Sequence, residues 1–241
     1  IKSKQGYMET ITICTPVYKR HEFLKLWINN IKSQTYDHKL ITVQIDECKS
    51  DEPFITDLKE VQDYLAPMTV VHNVYNSRSG IGEKRNRLVK NSKTKYIAFF
   101  DSDDYYFPYC LEYNYGLLKD KKVKCVGSDK MLFCYVEDDF LLSGINCGDK
   151  IHLIHEASLF FEKKWFNTTN KFQRKNCGEG KRLFEGISPK QVAISDIKNV
   201  MICICWEGNT VNKDQFKDTQ RKQILDDSLK NALIQLLPNK S

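Results

Sequence analysis

The chain has 241 residues and no apolar run near the roughly 18 to 20 residues that cross a bilayer, so no membrane-spanning helix is expected. Its opening, Ile1-Lys2-Ser3-Lys4-Gln5, does not read as a secretory signal. None of its nine cysteines forms a C-x-x-C pair, which argues against a zinc framework. There is no G-x-x-x-x-G-K-[ST] loop and no G-x-G-x-x-G turn after the first strand, so the usual backbone cradles for phosphate are missing. Internal repeats, linkers and low-complexity tracts are also absent. The net charge is +6, with bases and acids mixed in most segments. That modest balance suits an anionic small molecule and does not call for nucleic acid as a partner.

The cysteine count is odd and irregularly spaced, and Cys14, Cys125, Cys203 and Cys205 sit inside apolar runs as small hydrophobes. This usage points to a reducing compartment, and a cytoplasmic location is expected. A hydrophobic content of 41% with 12% aromatics supports a substantial core.

The first half alternates strand and helix signals. Strands are predicted over Glu9 to Thr15, Leu40 to Ile45, Thr69 to Val74 and Tyr96 to Phe100. Helices are predicted over Phe23 to Ile31, Asp57 to Leu65 and Gly82 to Val89. This order implies an α/β fold with a mostly parallel sheet and right-handed crossovers. Further on, a helix is predicted over Cys110 to Leu118. Strands are predicted over Val123 to Gly127, Met131 to Val136, His155 to Phe161 and Val200 to Cys205. Trp165 to Gly186 reads as irregular, and 213–237 as a C-terminal helix whose leucine stripe packs on the body of the protein.

Each early strand ends in polar chemistry: Thr15-Pro16-Val17-Tyr18, Asp46-Glu47, Asn73 to Arg78, and Asp101-Ser102-Asp103-Asp104. In a parallel sheet these ends converge on one edge, where ligands bind. Three carboxylates in four residues repel one another unless a cation or other partner relieves them. Oxygen ligands on a short loop suit Mg2+ or Mn2+. With no glycine cradle in the chain, binding of a diphosphate falls to such a cation.

Ile11 to Tyr18 resembles the opening strand of glycosyltransferase family 2, a GT-A fold, and three further motifs follow in the family's order. Asp46-Glu47-Cys48-Lys49-Ser50-Asp51 is similar to the family's acidic segment after strand two. Gly80 through Asp104 resembles its Gly-rich loop, Arg-Asn, helix, strand and D-x-D-D. The likeness covers roughly the first 110 residues and loosens from Val123 onward. It implies one GT-A domain over 1–241, with a mixed, mostly parallel sheet flanked by helices. A Rossmann-like nucleotide-sugar half would span about 10–110 and an acceptor-binding half about 120–210.

The resemblance also implies roles. Thr15, Pro16 and Tyr18 would line the nucleobase pocket, and Asp46 would accept a hydrogen bond from the base. Arg78 and Lys84 would approach the base or the phosphates. Asp101 would sit near ribose and metal, Asp103 would be the main metal ligand, and Asp104 would bind sugar hydroxyls or support the site. Glu207 stands where relatives carry a late metal-binding His. An inverting transfer needs a base for the acceptor hydroxyl. Cys177-Gly178-Glu179-Gly180 is similar to the family's G-E-D motif, with Gly180 in place of the Asp; this leaves Glu179 as the candidate base and Glu185 as the alternative. The activity implied is transfer of a sugar from a nucleotide-diphosphate donor, UDP-linked by preference, to a glycan, lipid or protein acceptor, with Mn2+ or Mg2+. The rivals are a nucleotidyltransferase, disfavoured because Thr15-Pro16-Val17-Tyr18 is no basic Gly-rich loop, and a non-catalytic sugar- or nucleotide-binding module on the same fold. Taken alone, Asp101 to Asp104 would also suit a solvated turn or the cap of the next helix.

Overall fold

The computed structural model describes residues 9–207, 212–221 and 223–238. β-branched and aromatic residues dominate the early strands. These are β1 (Ile11–Val17), β2 (Ile41–Cys48), β3 (Thr69–Tyr75) and β4 (Tyr96–Phe99). Of them, β1, β2 and β4 are buried on both faces, while the edge strand β3 is largely exposed or half-buried. They pair in parallel in the order β4-β1-β2-β3. The intervening helices are α1 (Leu24–Lys32), α2 (Leu58–Leu65) and α3 (Ile81–Asn91). Asp57 starts α2 by accepting the Glu60 N–H at 2.9 Å, a capping bond legible in the sequence.

The second half adds β5 (Tyr105–Tyr106), α4 (Cys110–Asp120), β6 (Cys125–Gly127), β7 (Lys130–Tyr135), β8 (Leu141–Asn146) and β9 (Phe160–Glu162). It continues through α5 (Lys163–Phe166), β10 (Val192–Ile194), β11 (Met201–Cys205), β12 (Gln223–Ile224) and α6 (Asp227–Leu236). Among the described residues, one seven-stranded sheet runs β10-β6-β9-β4-β1-β2-β3, and a five-stranded sheet runs β12-β8-β7-β11-β5. The larger sheet is mixed: β9 lies antiparallel to β4 and β6, and the other pairs are parallel.

Several expectations change. The strand expected from His155 is confined to Phe160–Glu162, because Glu156–Ser158 forms a 3-10 turn closed by the Ser158 hydroxyl on the His155 carbonyl. The helix expected over 213–237 is only Asp227–Leu236. Asp226 caps it by accepting the Leu229 N–H at 3.0 Å, so the helix begins there. The stretch before it carries the turn Asp214–Phe216 and β12. Leu233 of α6 packs with Phe23, Leu26 and Ile204, as the leucine stripe requires. β5, β10 and β12 have only two or three residues, too few to show a period, and β8 over Leu141–Asn146 was not among the predicted strands.

Candidate functional site

The parallel pairing of β1 with β4 brings the segments after both strands to one edge of the sheet. A cleft of about 410 Å3 opens there. Pro16, Val17, Tyr18, Lys19 and Arg20 line it from β1, and Asp101 to Asp104 line it from beyond β4. Arg78, Ser79, Ile81 and Lys84 close it from the start of α3, with Asn176 and Lys213 reaching in from the second half. A ligand in this cleft meets the positive end of the α3 dipole.

The three carboxylates of Asp101-Ser102-Asp103-Asp104 have separate surroundings. Asp101 Oδ2 accepts from Arg85 Nη2 at 2.9 Å, while its buried Oδ1 accepts no hydrogen bond among the described residues. Asp103 Oδ2 accepts from Arg20 Nε at 3.2 Å, with both side chains about one-fifth exposed. Asp104 is buried and braces the fold: its Oδ1 accepts the Ile204 N–H at 3.1 Å and its carbonyl accepts from Asn30 Nδ2 at 2.8 Å. Burial, with Cys203 adding, pushes the Asp104 carboxyl well above the usual carboxylate range. Of the two readings of Asp104, supporting the site matches these contacts.

A buried carboxylate oxygen without a donor has an unmet need for positive charge. Asp101 Oδ1 and Asp103 therefore fit a hard cation held by oxygen. The expected third ligand is not brought to them. Glu207 is exposed and lines a neighbouring cavity with Tyr135, Glu137, Asp138 and Asp214, and the described residues hold no cluster of three or more His, Cys, Asp or Glu side chains suited to a metal.

Basic side chains face the acids. Arg78 lies 4.0 Å from the centroid of the Tyr18 ring, and Lys84 Nζ lies 5.9 Å from it. Lys84 is buried and donates to the Val17 carbonyl, which ties α3 to the end of β1. Lys213 Nζ donates to Cys203 Sγ at 2.7 Å. Burial works against the charge on Lys213, but Cys203 and Asp104 outweigh it and hold its pKa above the ordinary lysine value.

Behind the cleft wall lies an ionic cluster around Arg85, which is 2% exposed. Its Nε donates to Glu179 Oε1 at 3.0 Å and its Nη2 to Asp101, leaving the buried Nη1 without a hydrogen-bond partner among the described residues. Burial opposes the guanidinium charge, but Asp101, Glu179 and Glu156 outweigh it and raise its pKa further. Glu179 is itself 4% exposed and is not among the residues lining the cleft. Burial raises its carboxyl, Arg85 opposes that, and Glu156 adds to it. Gly180 donates its N–H to Glu156 Oε1 at 2.7 Å. A Cβ at position 180 would meet that carboxyl at 2.5 Å, so the Glu156 side chain occupies the space a larger residue would need.

Other expected residues lie close by with partners of their own. Thr15 is buried and accepts from Trp27 Nε1 at 2.9 Å, so its side chain fixes α1 to β1 and Pro16 forms the cleft wall. Asp46 is 1% exposed and held by both arms of Arg87, at 2.8 and 2.9 Å. Glu185 pairs with Arg182 at 2.9 Å on the surface. Sequence reasoning missed Arg20, Arg85, Arg87, Glu156 and Lys213. A signal existed for Arg85: it falls with Leu88 and Val89 on the apolar face of α3, where a charge must be paired.

The sequence profile of glycosyl transferase family 2 matches residues 12–176. The Escherichia coli UDP-Glc:alpha-D-GlcNAc-diphosphoundecaprenol beta-1,3-glucosyltransferase WfaP is 25% identical over 138 residues, which covers 57% of this chain and 51% of that protein. The chain spans about half or less of the length of the curated relatives it matches. S. aureus TarS in complex with UDP superposes with a TM-score of 0.63 at 14% identity, covering 81% of this chain and 60% of that one. TarS also has a complex with UDP-GlcNAc. The Pyrobaculum calidifontis mannosyltransferase PcManGT, in complex with GDP-Man and Mn2+, superposes with a TM-score of 0.64 at 12% identity, covering 87% of this chain and 59% of that one. The fold is the GT-A arrangement that the motifs imply.

Proposed function

This chain belongs to glycosyltransferase family 2, and from that premise we propose that it moves a sugar from a nucleoside-diphosphate donor, UDP-linked by preference, to an acceptor hydroxyl with inversion at the anomeric carbon. One observation carries the reading: an acid pair with an unmet oxygen at Asp101 shares its cleft with Lys19, Arg20, Arg78, Lys84 and Lys213. Bases around a cation-seeking acid pair match a diphosphate bound through a divalent ion. The structures of TarS with UDP and of PcManGT with GDP-Man and Mn2+ support a donor of this class.

Asp101 and Asp103 would hold Mn2+ or Mg2+, which when bound offsets the charge that grows on the leaving diphosphate. Arg20, which donates to Asp103 Oδ2, stands where its guanidinium could turn to a phosphate oxygen once an ion takes over that carboxylate. Pro16 and Tyr18, with Arg78 over the Tyr18 ring, offer the nucleobase a flat, cationic wall. Asp46 holds Arg87 with both oxygens, and each keeps a lone pair with which it would accept from the base as the resemblance implies. Holding both reactants in line contributes much of the rate. The acceptor proton goes to a carboxylate of the Arg85 cluster, for which Glu179 is the choice drawn from the motif.

Hydrolysis of UDP-GlcNAc and UDP-Glc by the purified chain, with and without Mn2+, tests the proposal. Nucleotide release should require the metal and fall about a hundredfold or more in Asp103→Ala. Metal-dependent release that survives this substitution removes the assignment of the acid pair. Donor binding without any release in the wild type leaves a non-catalytic module instead.

A further inference from the structure

Two carboxylates flank Arg85 in addition to Asp101, and they differ in what they can do. Glu179 is buried and spends Oε1 on Arg85 Nε. Glu156 is only half-buried. Its Oε1 accepts the Gly180 N–H at 2.7 Å, and its Oε2 makes no hydrogen bond among the described residues. The turn Glu156–Ser158 adjoins the end of β4 through the antiparallel pairing of β9, and Glu156, like Glu179, stands behind the residues that line the cleft. The Asp101 N–H donates to Tyr106 Oη at 2.9 Å, and Tyr106 Oη donates to the Ala157 carbonyl at 3.1 Å, so the residue after Glu156 is two hydrogen bonds from Asp101. The Phe99 N–H donates to the Leu159 carbonyl at 3.1 Å, which fixes the same turn to the end of β4.

Gly180 explains why this carboxyl can stand there. A Cβ at position 180 would lie 2.5 Å from Glu156 Oε1 and 2.7 Å from its Cγ. The missing side chain opens a space that the carboxyl of another segment fills, and the backbone N–H of the same glycine orients it. A carboxylate with one oxygen fixed by an N–H and the other free is set to take a proton.

We propose that Glu156 is the base of the transfer reaction and that Glu179 is a positioning residue that holds Arg85 against Asp101; this rests on the glycosyltransferase reading above. In the step, the acceptor oxygen bonds to the anomeric carbon while the bond from that carbon to the diphosphate oxygen breaks. The diphosphate leaves with the electron pair, and the acceptor proton passes to Glu156 Oε2. Water serves as acceptor in donor hydrolysis, so the role can be read with UDP-GlcNAc or UDP-Glc alone.

The test compares Glu156→Gln, Glu156→Gly, Glu179→Gln and the double variant Glu156→Gly, Gly180→Asp. Two readouts are used: hydrolysis of the UDP-sugar with Mn2+, and the thermal shift given by UDP with Mn2+. Glu156→Gln should lower hydrolysis by about a hundredfold or more with an unchanged shift, since a base acts on turnover and not on donor binding. In the double variant the new carboxylate points into the vacated space, and hydrolysis should recover at least about tenfold over Glu156→Gly. Glu179→Gln should lower the melting temperature of the free protein, which Glu156→Gln should leave near the wild type. Hydrolysis by Glu156→Gln within a few fold of the wild type overturns the assignment, as does a double variant no more active than Glu156→Gly. A wild type that neither binds nor hydrolyses a UDP-sugar in metal counts against the glycosyltransferase reading, which separates the two failures.

Discussion

At the scale of the residue, the cleft depends on a guanidinium that never reaches it. Arg85 is buried between Asp101 and Glu179, and each carboxylate would be costly to bury without it. Removing one member of a buried ionic cluster leaves the others uncompensated. Arg85→Met should therefore destabilise the chain by about 3 kcal/mol or more, seen as a lower urea midpoint. Replacing Arg85 and Glu179 together by Met and Leu should be milder than Arg85→Met alone, because one of the two orphaned carboxylates goes as well. A second residue-scale effect comes from His155, whose pKa is lowered from 6.5 to about 4 by burial, with Asp129 pulling part of the way back. An unfolded chain takes up this proton near pH 6.5 while the folded chain refuses it until about pH 4. His155 thus contributes stability that is present above pH 6.5 and is lost as pH falls toward 4, at most about 3 kcal/mol. Urea midpoints between those limits should fall with pH in the wild type and fall less steeply in His155→Gln.

At the scale of the element, α3 decides the site. Its N-terminus faces the cleft, and its inner face carries Lys84 to the Val17 carbonyl and Arg85 to the acids. The loop that holds Glu179 docks on the same helix: the Gly82 N–H donates to the Lys175 carbonyl at 3.2 Å, and Asn86 Nδ2 donates to the Phe172 carbonyl at 2.9 Å. A Cβ on Gly82 would stand 1.8 Å from the Gln173 carbonyl oxygen, a backbone atom with no cheap way to retreat. Gly82→Ala should push the loop off the helix, destabilise the fold by about 1 to 3 kcal/mol, and remove donor hydrolysis with it. Gly80→Ala, whose Cβ would be 3.1 Å from the Lys175 carbonyl oxygen, should do less. Denaturation midpoints and turnover of the two variants check the ranking. The period of the apolar residues made α3 legible in advance, and the turn chemistry of Gly80 to Gly82 marked its start. The close packing of the 173–179 backbone on Gly82 was not legible, because it joins segments about ninety residues apart.

At the scale of the whole molecule, the first four strands and three helices followed from local pattern, and the convergence of their ends followed from the parallel order. Asp101 to Asp104 could be placed at the cleft because those residues are contiguous. The Arg85 cluster draws on α3, the end of β4, the turn at Glu156 and the loop at Glu179, and no local period couples those four places. The same limit applies to Glu207, which motif order sets near the acid pair and which lines a neighbouring cavity that shares Lys213 with the cleft. The short strands of the second half depend on pairing partners more than on their own composition.

The last expectation concerns the molecule as a thermodynamic unit. The cleft is lined by the ends of β1 and β4, the start of α3 and, through Asn176 and Lys213, two segments of the second half, so a ligand there joins the two halves of the chain. A ligand that binds only the folded chain stabilises it by about 2.7 kcal/mol at a hundred times its Kd. For a chain of this size that is a rise in Tm of about 5 to 10 °C. UDP with Mn2+ should produce such a rise, UDP or Mn2+ alone much less, and the gain should shrink as salt screens the basic wall. Asp103→Ala should remove the metal requirement together with most of the gain, whereas Glu156→Gln should retain both. Equal shifts from UDP with and without Mn2+ would mean that the bases alone hold the diphosphate, and that the unmet oxygen of Asp101 serves another partner.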